Sequence, residues 1–392
     1  MQTLTGILEW PARADGRVRQ VSDWSVVTDE GDPIVPASLG DEYNLRDGLE
    51  LTVEVEMRKP RRRRGRRPTN GAPRPARPVV ASILEIEGLD PEEFRTRPRF
   101  EDLTVIDPQP RATLEYPGCP DACRLIDLFC PIGFGQRALI VSPPKAGKTT
   151  LLKNVAEAIL RNHENTHMVI LLVDERPEEV TDFRRTLAKD DAPWKDRVLV
   201  NASSNDHDTD RHVAVSMMTF ERCKRMVEAG KDVVVMLDSL TRLGRAFNRS
   251  RRHASSGRTL SGGIDSKAME VPRQLFGAAR QTEEAGSLTV IATCLVDTGS
   301  QGDQVIFEEF KGAGNMELIL DRKIAEQRLF PAINLAASGA RKEDLLLDPQ
   351  TLATVTALRR RLLNMPPPQQ VEQLLAAMTR FETNDKLVGS AG

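Results

Sequence analysis

The feature that most constrains this chain is a nine-residue run, Ser142-Pro143-Pro144-Lys145-Ala146-Gly147-Lys148-Thr149-Thr150. An apolar β run at 138–141 precedes it, and an apolar helical pattern at 151–160 follows. A Gly-Lys-Thr turn between a strand and a helix is a phosphate-binding loop, because its backbone N–H groups and the helix N-terminus form an anion nest. In such a loop Lys148 pairs with the β- and γ-phosphates and Thr149 ligates Mg²⁺. The strict spacing places glycine where Ser142 stands, and a small residue still permits the turn.

The apolar runs at 168–173, 198–200, 233–237 and 288–296 alternate with helical stretches. That alternation predicts a parallel sheet flanked by helices, and the stretch from 349 to about 384 reads as further helices. The run at 233–237 ends in Asp238, the Walker B form, so Asp238 is expected to hold Mg²⁺. Another run ends in Asp174-Glu175-Arg176-Pro177-Glu178-Glu179. A carboxylate at such a strand end can orient and deprotonate a water, and that role falls to Glu175. Glu178 and Glu179 read as an acidic first helical turn, where the helix dipole favours them.

Residues 1–57 read as short strands separated by turns. Leu51, Val53, Val55 and Met57 alternate with polar neighbours, and 79–86 is a further strand. A small barrel is the expected outcome. Between its strands, residues 58–77 hold ten Lys or Arg and no acid, although the whole chain has a net charge of only -2. Such a Pro- and Arg-rich tract cannot bury a core and predicts a disordered insertion at 58–78. The domain boundaries are expected at 1–110 and 111–392. Five cysteines are too few for a disulfide framework. Cys119 and Cys123 have a loose metal spacing without a matching pair, so free thiols are expected. No apolar run of membrane-spanning length and no targeting signal occurs, which predicts a cytoplasmic chain without membrane partners.

Several longer runs stand out: Asp174 to Thr181, Asp238-Ser239-Leu240-Thr241-Arg242, Phe276-Gly277-Ala278-Ala279-Arg280, Asp297-Thr298-Gly299-Ser300, Phe310 to Leu318, Arg322 to Ile333 and Ser338 to Glu343. Together they resemble the bacterial transcription termination factor Rho family. The similarity covers about residues 126–385 and implies a RecA-like P-loop ATPase domain behind an OB-like RNA-binding barrel. It implies a homohexamer with ATP sites between subunits, which moves along single-stranded nascent RNA and releases it from RNA polymerase to end transcription. Gly133, Phe134, Gly135, Gln136, Arg137 and Ala138 would join Lys145, Ala146, Gly147, Lys148, Thr149 and Thr150 in the nucleotide pocket. Arg176 would contact nucleotide and Phe330 would stack on adenine. Arg341 would be the finger that reaches a neighbour's γ-phosphate, assisted by Arg328. Arg258 and Thr259 on one loop, Thr298 and Gln301 on a second, and Lys311 would contact RNA.

This chain departs from the family pattern in places. Gln301 stands where a lysine is usual, and the extra basic run Arg249-Ser250-Arg251-Arg252-His253 precedes the first loop, either as compensation or as a solvated turn. In the barrel, Asp15-Gly16-Arg17-Val18-Arg19 and Ile34 replace expected base-stacking aromatics. A rotary or secretion ATPase subunit is the rival within the same fold, and a non-catalytic RNA-binding protein is the rival outside it. The arginine tract is expected to substitute phosphate contacts for lost stacking. RNA loading should then be steeply salt-dependent and weakly selective for cytosine. Deleting the tract should flatten the slope of log affinity against log salt by several steps of about 0.7 each, read from binding curves at three salt concentrations. An unchanged slope would leave a solvated insertion.

Overall fold

The computed structural model describes residues 2–11, 14–22, 25–27, 31–58 and 76–389. The chain divides into two compact units, residues 1–102 with 217–229, and residues 103–216 with 230–392.

The first unit is built on strands β1 (Gln2–Glu9), β2 (Gly16–Ser22), β3 (Ser25–Val27), β4 (Ile34–Val35), β5 (Glu50–Arg58) and β6 (Arg77–Ile86). β1 pairs with β5, β5 with β6, β6 with β4, β4 with β2, and β2 with β1 again. All these pairings are antiparallel except β4 with β6. Five strands thus close a barrel with the OB order, and β3 extends β2 outside the ring. Closure removes the exposed edges that an open sheet of this size would carry. Leu8, Val18, Val35, Leu51, Val53, Val80 and Ile86 fill the interior. The alternation along β5 ends early: Leu51 and Val53 are buried, but Met57 is 65% exposed, because the strand runs on past the barrel. Its last pair is Arg58 opposite Arg77. The expected disordered insertion between them falls at 59–75, outside the described residues.

Residues 217–229, from the helix Thr209–Glu228 onward, belong to this unit through charges rather than apolar packing alone. The carboxylate of Glu228 is fully buried, accepts a hydrogen bond from Arg46 and another at 2.8 Å from the backbone N–H of Phe100, and pairs with Arg225 at 2.9 Å. One turn earlier, Arg222 pairs with Glu87 at 2.5 Å and Glu50 at 3.3 Å.

The second unit contains a seven-stranded sheet. Its strands, with the small β7 (Val105–Ile106) and β12 (Gln281–Thr282) pair beside it, are β8 (Arg137–Ser142), β9 (Thr166–Glu175), β10 (Val198–Ser204), β11 (Asp232–Asp238), β13 (Leu288–Leu295), β14 (Met316–Ile319) and β15 (Gly339–Ala340). The order is β10-β9-β11-β13-β8-β14-β15, parallel except for β15 at the edge. Helices cover both faces, so the central strands read as continuous apolar runs instead of alternating ones. The helices Pro349–Leu362, Pro367–Arg380 and Asn384–Gly389 follow. Among the described residues, no helix is long and apolar enough to cross a membrane.

Removing Glu228 strips Arg46 of its ion-pair partner and leaves the buried Arg225 only the longer pair with Glu221, at 3.4 Å. Glu228→Ala should destabilise the first unit by about 3–5 kcal/mol. Urea denaturation followed by circular dichroism should show an earlier transition; an unchanged midpoint would mean the ion pairs contribute nothing.

Candidate active site

A parallel sheet places the ends of its strands on one side, and here three of those ends converge. Lys145 to Gly147 form the loop after β8, with left-handed backbone at Lys145 (φ 66°) and Gly147 (φ 87°), and Lys148, Thr149 and Thr150 open the helix Lys148–Asn162. The Lys148 amine pairs with the Asp238 carboxylate at 2.5 Å. That same Asp238 oxygen accepts the Thr293 hydroxyl at 2.8 Å, while its second oxygen is buried without a hydrogen-bond partner. A buried, unsatisfied carboxylate oxygen costs about 1–3 kcal/mol or more unless a cation or donor meets it. With the Thr149 hydroxyl on the first helical turn, this hard-oxygen donor set fits Mg²⁺.

Glu175 ends β9, beside the Asp238 strand, and is 2% exposed. Arg242 donates to its Oε1 at 3.0 Å and also to the backbone carbonyl of Asp174. Position explains this: Ser239, directly after Asp238, caps the helix Leu240–Arg249 by accepting the Arg242 N–H at 3.2 Å, so Arg242 lies one turn into that helix. Sequence reasoning assigned Arg242 no role, although an arginine four residues beyond a Walker B aspartate was the available signal. His212 stands behind Asp174, its Nε2 3.9 Å from the carboxylate and its Nδ1 2.5 Å from the Ser203 hydroxyl. Arg176 is exposed at the N-cap of the helix Pro177–Leu187, where Glu178 and Glu179 occupy the first turn. Phe330 is 46% exposed and leans over the phosphate loop: a Cβ on Gly147 would stand 3.3 Å from its ring.

Other expected site residues are not gathered here. Gly133, Phe134, Gly135 and Gln136 precede β8, and Arg137 and Ala138 begin it, so they lie at the opposite end of the strand, about 15–20 Å from the phosphate loop. Their polar groups serve the fold. The Gly133 N–H donates to the Gln136 side chain and the Gly135 N–H to the Thr289 hydroxyl, each at 2.8 Å. Arg341 is at that far end too, with its N–H on the Asn315 carbonyl at 2.7 Å and its guanidinium 3.3 Å from the Gly312 carbonyl. Arg328 is exposed two residues before Phe330, on the loop that leaves the other end of β14. The two arginines therefore do not meet within one chain.

The two loops expected at RNA do meet. Gly262, left-handed at φ 72°, packs so closely on the second loop that a Cβ would stand 2.7 Å from the Gln301 carbonyl carbon. Arg258 is exposed, and Thr259 bridges to Asp265 across the first loop. The Thr298 hydroxyl donates to Asp303 at 2.7 Å, and Arg245 grips the same carboxylate at 2.7 and 2.6 Å. Gln301 is exposed at the start of the helix Gln301–Phe310 and Lys311 follows its end, about 15 Å away.

Burial raises the pKa of Glu175 above the ordinary carboxylate value, and the charge of Asp238 adds to the rise; Arg242 and Lys148 oppose it. A base works deprotonated, so activity should fall as pH drops through this raised value. Arg242→Ala removes one opposing cation and should move the acidic limb of the kcat profile to higher pH while lowering kcat. A limb that stays in place in pH–rate measurements would show that Arg242 does not tune Glu175.

The family model for the ATP synthase alpha/beta family, nucleotide-binding domain, matches residues 122–340. The transcription termination factor Rho of Aquifex aeolicus (strain VF5) is 50% identical over 312 residues, covering 79% of this chain and 70% of that protein. That of Borreliella burgdorferi is 45% identical over 381 residues, covering 97% of this chain and 69% of its own length. A solved prototypical ATPase from the type III secretion system of pathogenic bacteria superposes with a TM-score of 0.59 at 21% identity, over 79% of this chain and 80% of that one, a likeness of fold alone. Sequence thus separates this chain from the secretion ATPase whose fold it shares: it belongs to the transcription termination factor Rho family and carries an ATP-hydrolysing P-loop domain.

Proposed function

We propose that this chain is a ring-forming, RNA-dependent ATPase that moves along single-stranded nascent RNA and releases it from RNA polymerase. The observation that carries the reading is a division within the sheet. Lys148, Asp238 and Glu175 meet at one end, while Arg341 sits at the other end of an edge strand pair. A site complete in everything but its finger is what a motor with shared interfaces presents, and a hexamer of such chains would bring Arg341 to a neighbour's ATP.

In this reading the loop N–H groups and Lys148 hold the β- and γ-phosphates, exchanging the Lys148–Asp238 pair for phosphate contacts. Thr149 and Asp238 would hold Mg²⁺, which neutralises charge on the phosphate oxygens. Glu175, aligned by Arg242, accepts the proton of the attacking water. Phe330 offers an apolar face to the base, and Arg176 adds a cation beside the pocket. Arg341 from the next subunit would stabilise transition-state charge, worth about 10³–10⁵ in rate, with Arg328 assisting at the interface. The joined loops bearing Arg258, Thr259, Thr298 and Gln301 would grip RNA, with Lys311 as a separate contact. Residues 133–138 share the Arg341 end, where they would face a neighbour rather than their own phosphates.

Glu175→Gln should leave ATP binding nearly intact and abolish turnover, whereas Lys148→Ala should weaken both; near wild-type hydrolysis by Glu175→Gln would remove it as the base. Rings of Arg341→Ala or Lys148→Ala alone should be inactive. Mixing the two should restore part of the ATPase signal at interfaces that pair an intact loop with an intact finger. No recovery under confirmed subunit exchange would count against a finger acting between subunits. ATPase assays with and without RNA homopolymers test the motor reading as a whole.

A further inference from the structure

The helix Leu240–Arg249 carries three gripping side chains at intervals of three residues, which place them along one face. Arg242 holds Glu175, Arg245 holds Asp303 on the second loop, and Asn248 holds the first loop. The Asn248 side chain donates to the Gly263 carbonyl at 3.1 Å and accepts the Asp265 N–H at 2.8 Å. Both loops are therefore tied to the last two turns of one helix.

Directly past that helix the chain makes a basic turn. Ser250 is 3% exposed, and its carbonyl accepts the N–H groups of His253 at 3.0 Å and Ala254 at 2.9 Å. The His253 ring packs edge-on against Phe247 with centroids 4.9 Å apart, and its Nδ1 lies 3.0 Å from the Ser250 hydroxyl. This anchoring leaves Arg251 and Arg252 exposed. Among the described residues, neither they nor Arg258 pair with a carboxylate. The one acid within the first loop, Asp265, is occupied by the backbone N–H groups of Ser256 at 3.1 Å and Lys267 at 2.8 Å.

We propose that Arg251 and Arg252 form a further phosphate-contact site for single-stranded RNA, beside the two loops. The inference rests on the reading of those loops as RNA-gripping. Three guanidiniums with no ion pair among the described residues outnumber the one acid, Asp210, that acts on this turn through His253, and so make a local positive field although the chain as a whole is nearly neutral. Guanidinium forks match phosphate oxygens and carry no preference for a base, so the contact would be independent of sequence. The competing account is that the arginines answer only the negative end of the helix dipole. A dipole needs no ligand and contributes nothing to the salt dependence of RNA binding.

The test uses the full chain and oligo(U) RNA, and reads the RNA concentration that gives half-maximal ATPase stimulation at low and high salt. Two phosphate contacts contribute about 1.4 to the slope of log affinity against log salt. Over a fourfold rise in salt, R251A/R252A should therefore lose affinity about sevenfold less than the unsubstituted chain, from a weaker start. R251K/R252K keeps both charges and should restore the slope. Equal slopes for the alanine variant and the unsubstituted chain overturn the site, as does a lysine pair that fails to restore it. If RNA does not stimulate the unsubstituted chain at all, the RNA reading falls first and the site with it.

Discussion

Everything at the catalytic end follows from the parallelism of β8, β11 and β9. Parallel strands present their carboxyl ends to one side, so a lysine after the first, an aspartate ending the second and a glutamate ending the third come together without any loop having to reach. The cost is electrostatic. Asp238 and Glu175 are both nearly fully buried, and burial, with the charge of Asp238 beside it, raises the proton affinity of Glu175. Lys148 and Arg242 supply the balancing charge, one from the helix after β8 and one from the helix after β11. Arg341 lies at the far end because it follows β15, the one strand of this sheet that runs antiparallel to its neighbour.

The helix Leu240–Arg249 extends this arrangement away from the nucleotide. Its N-terminal turn is fixed by the Ser239 cap and by Arg242 on Glu175; its C-terminal turns are fixed by Arg245 and Asn248 on the loops. One helix thus joins both loops to the carboxylate of Glu175. Part-buried charge-assisted bonds hold one end of the helix and a bidentate pair holds the other.

Much of this was legible in the sequence because covalent adjacency did the positioning. The phosphate loop, Asp238 and Glu175 each terminate an apolar run, and strand polarity brings strand ends together. The barrel was legible through the period-2 pattern of Leu51 and Val53, though not to Met57, where exposure replaces burial. What the sequence left open depends on distance through space. Residues 133–138 are near the loop in sequence, yet a strand of six residues separates them from it. The row Arg242, Arg245 and Asn248 was visible as a spacing, but its three partners lie on three different segments. Likewise, nothing in the pattern of residues 217–229 shows that they join the barrel, because the bond is a set of buried ion pairs.

The barrel's strand order does not decide what its outer face carries. Of the two arginines that stand where aromatics were expected, Arg19 is internally satisfied: its guanidinium donates to Glu9 at 2.6 Å and to the buried Asp32 at 2.7 Å. Arg17 is different. It lines a groove of about 630 Å³ together with Gln20, Arg77, Leu4, Val55 and Met57, at the place where β5 and β6 run out into the arginine tract. Among the described residues this lining offers two guanidiniums and aliphatic walls, which suit a phosphate and a sugar, and no aromatic plane for a base to stack on. Such a lining would answer charge rather than base identity.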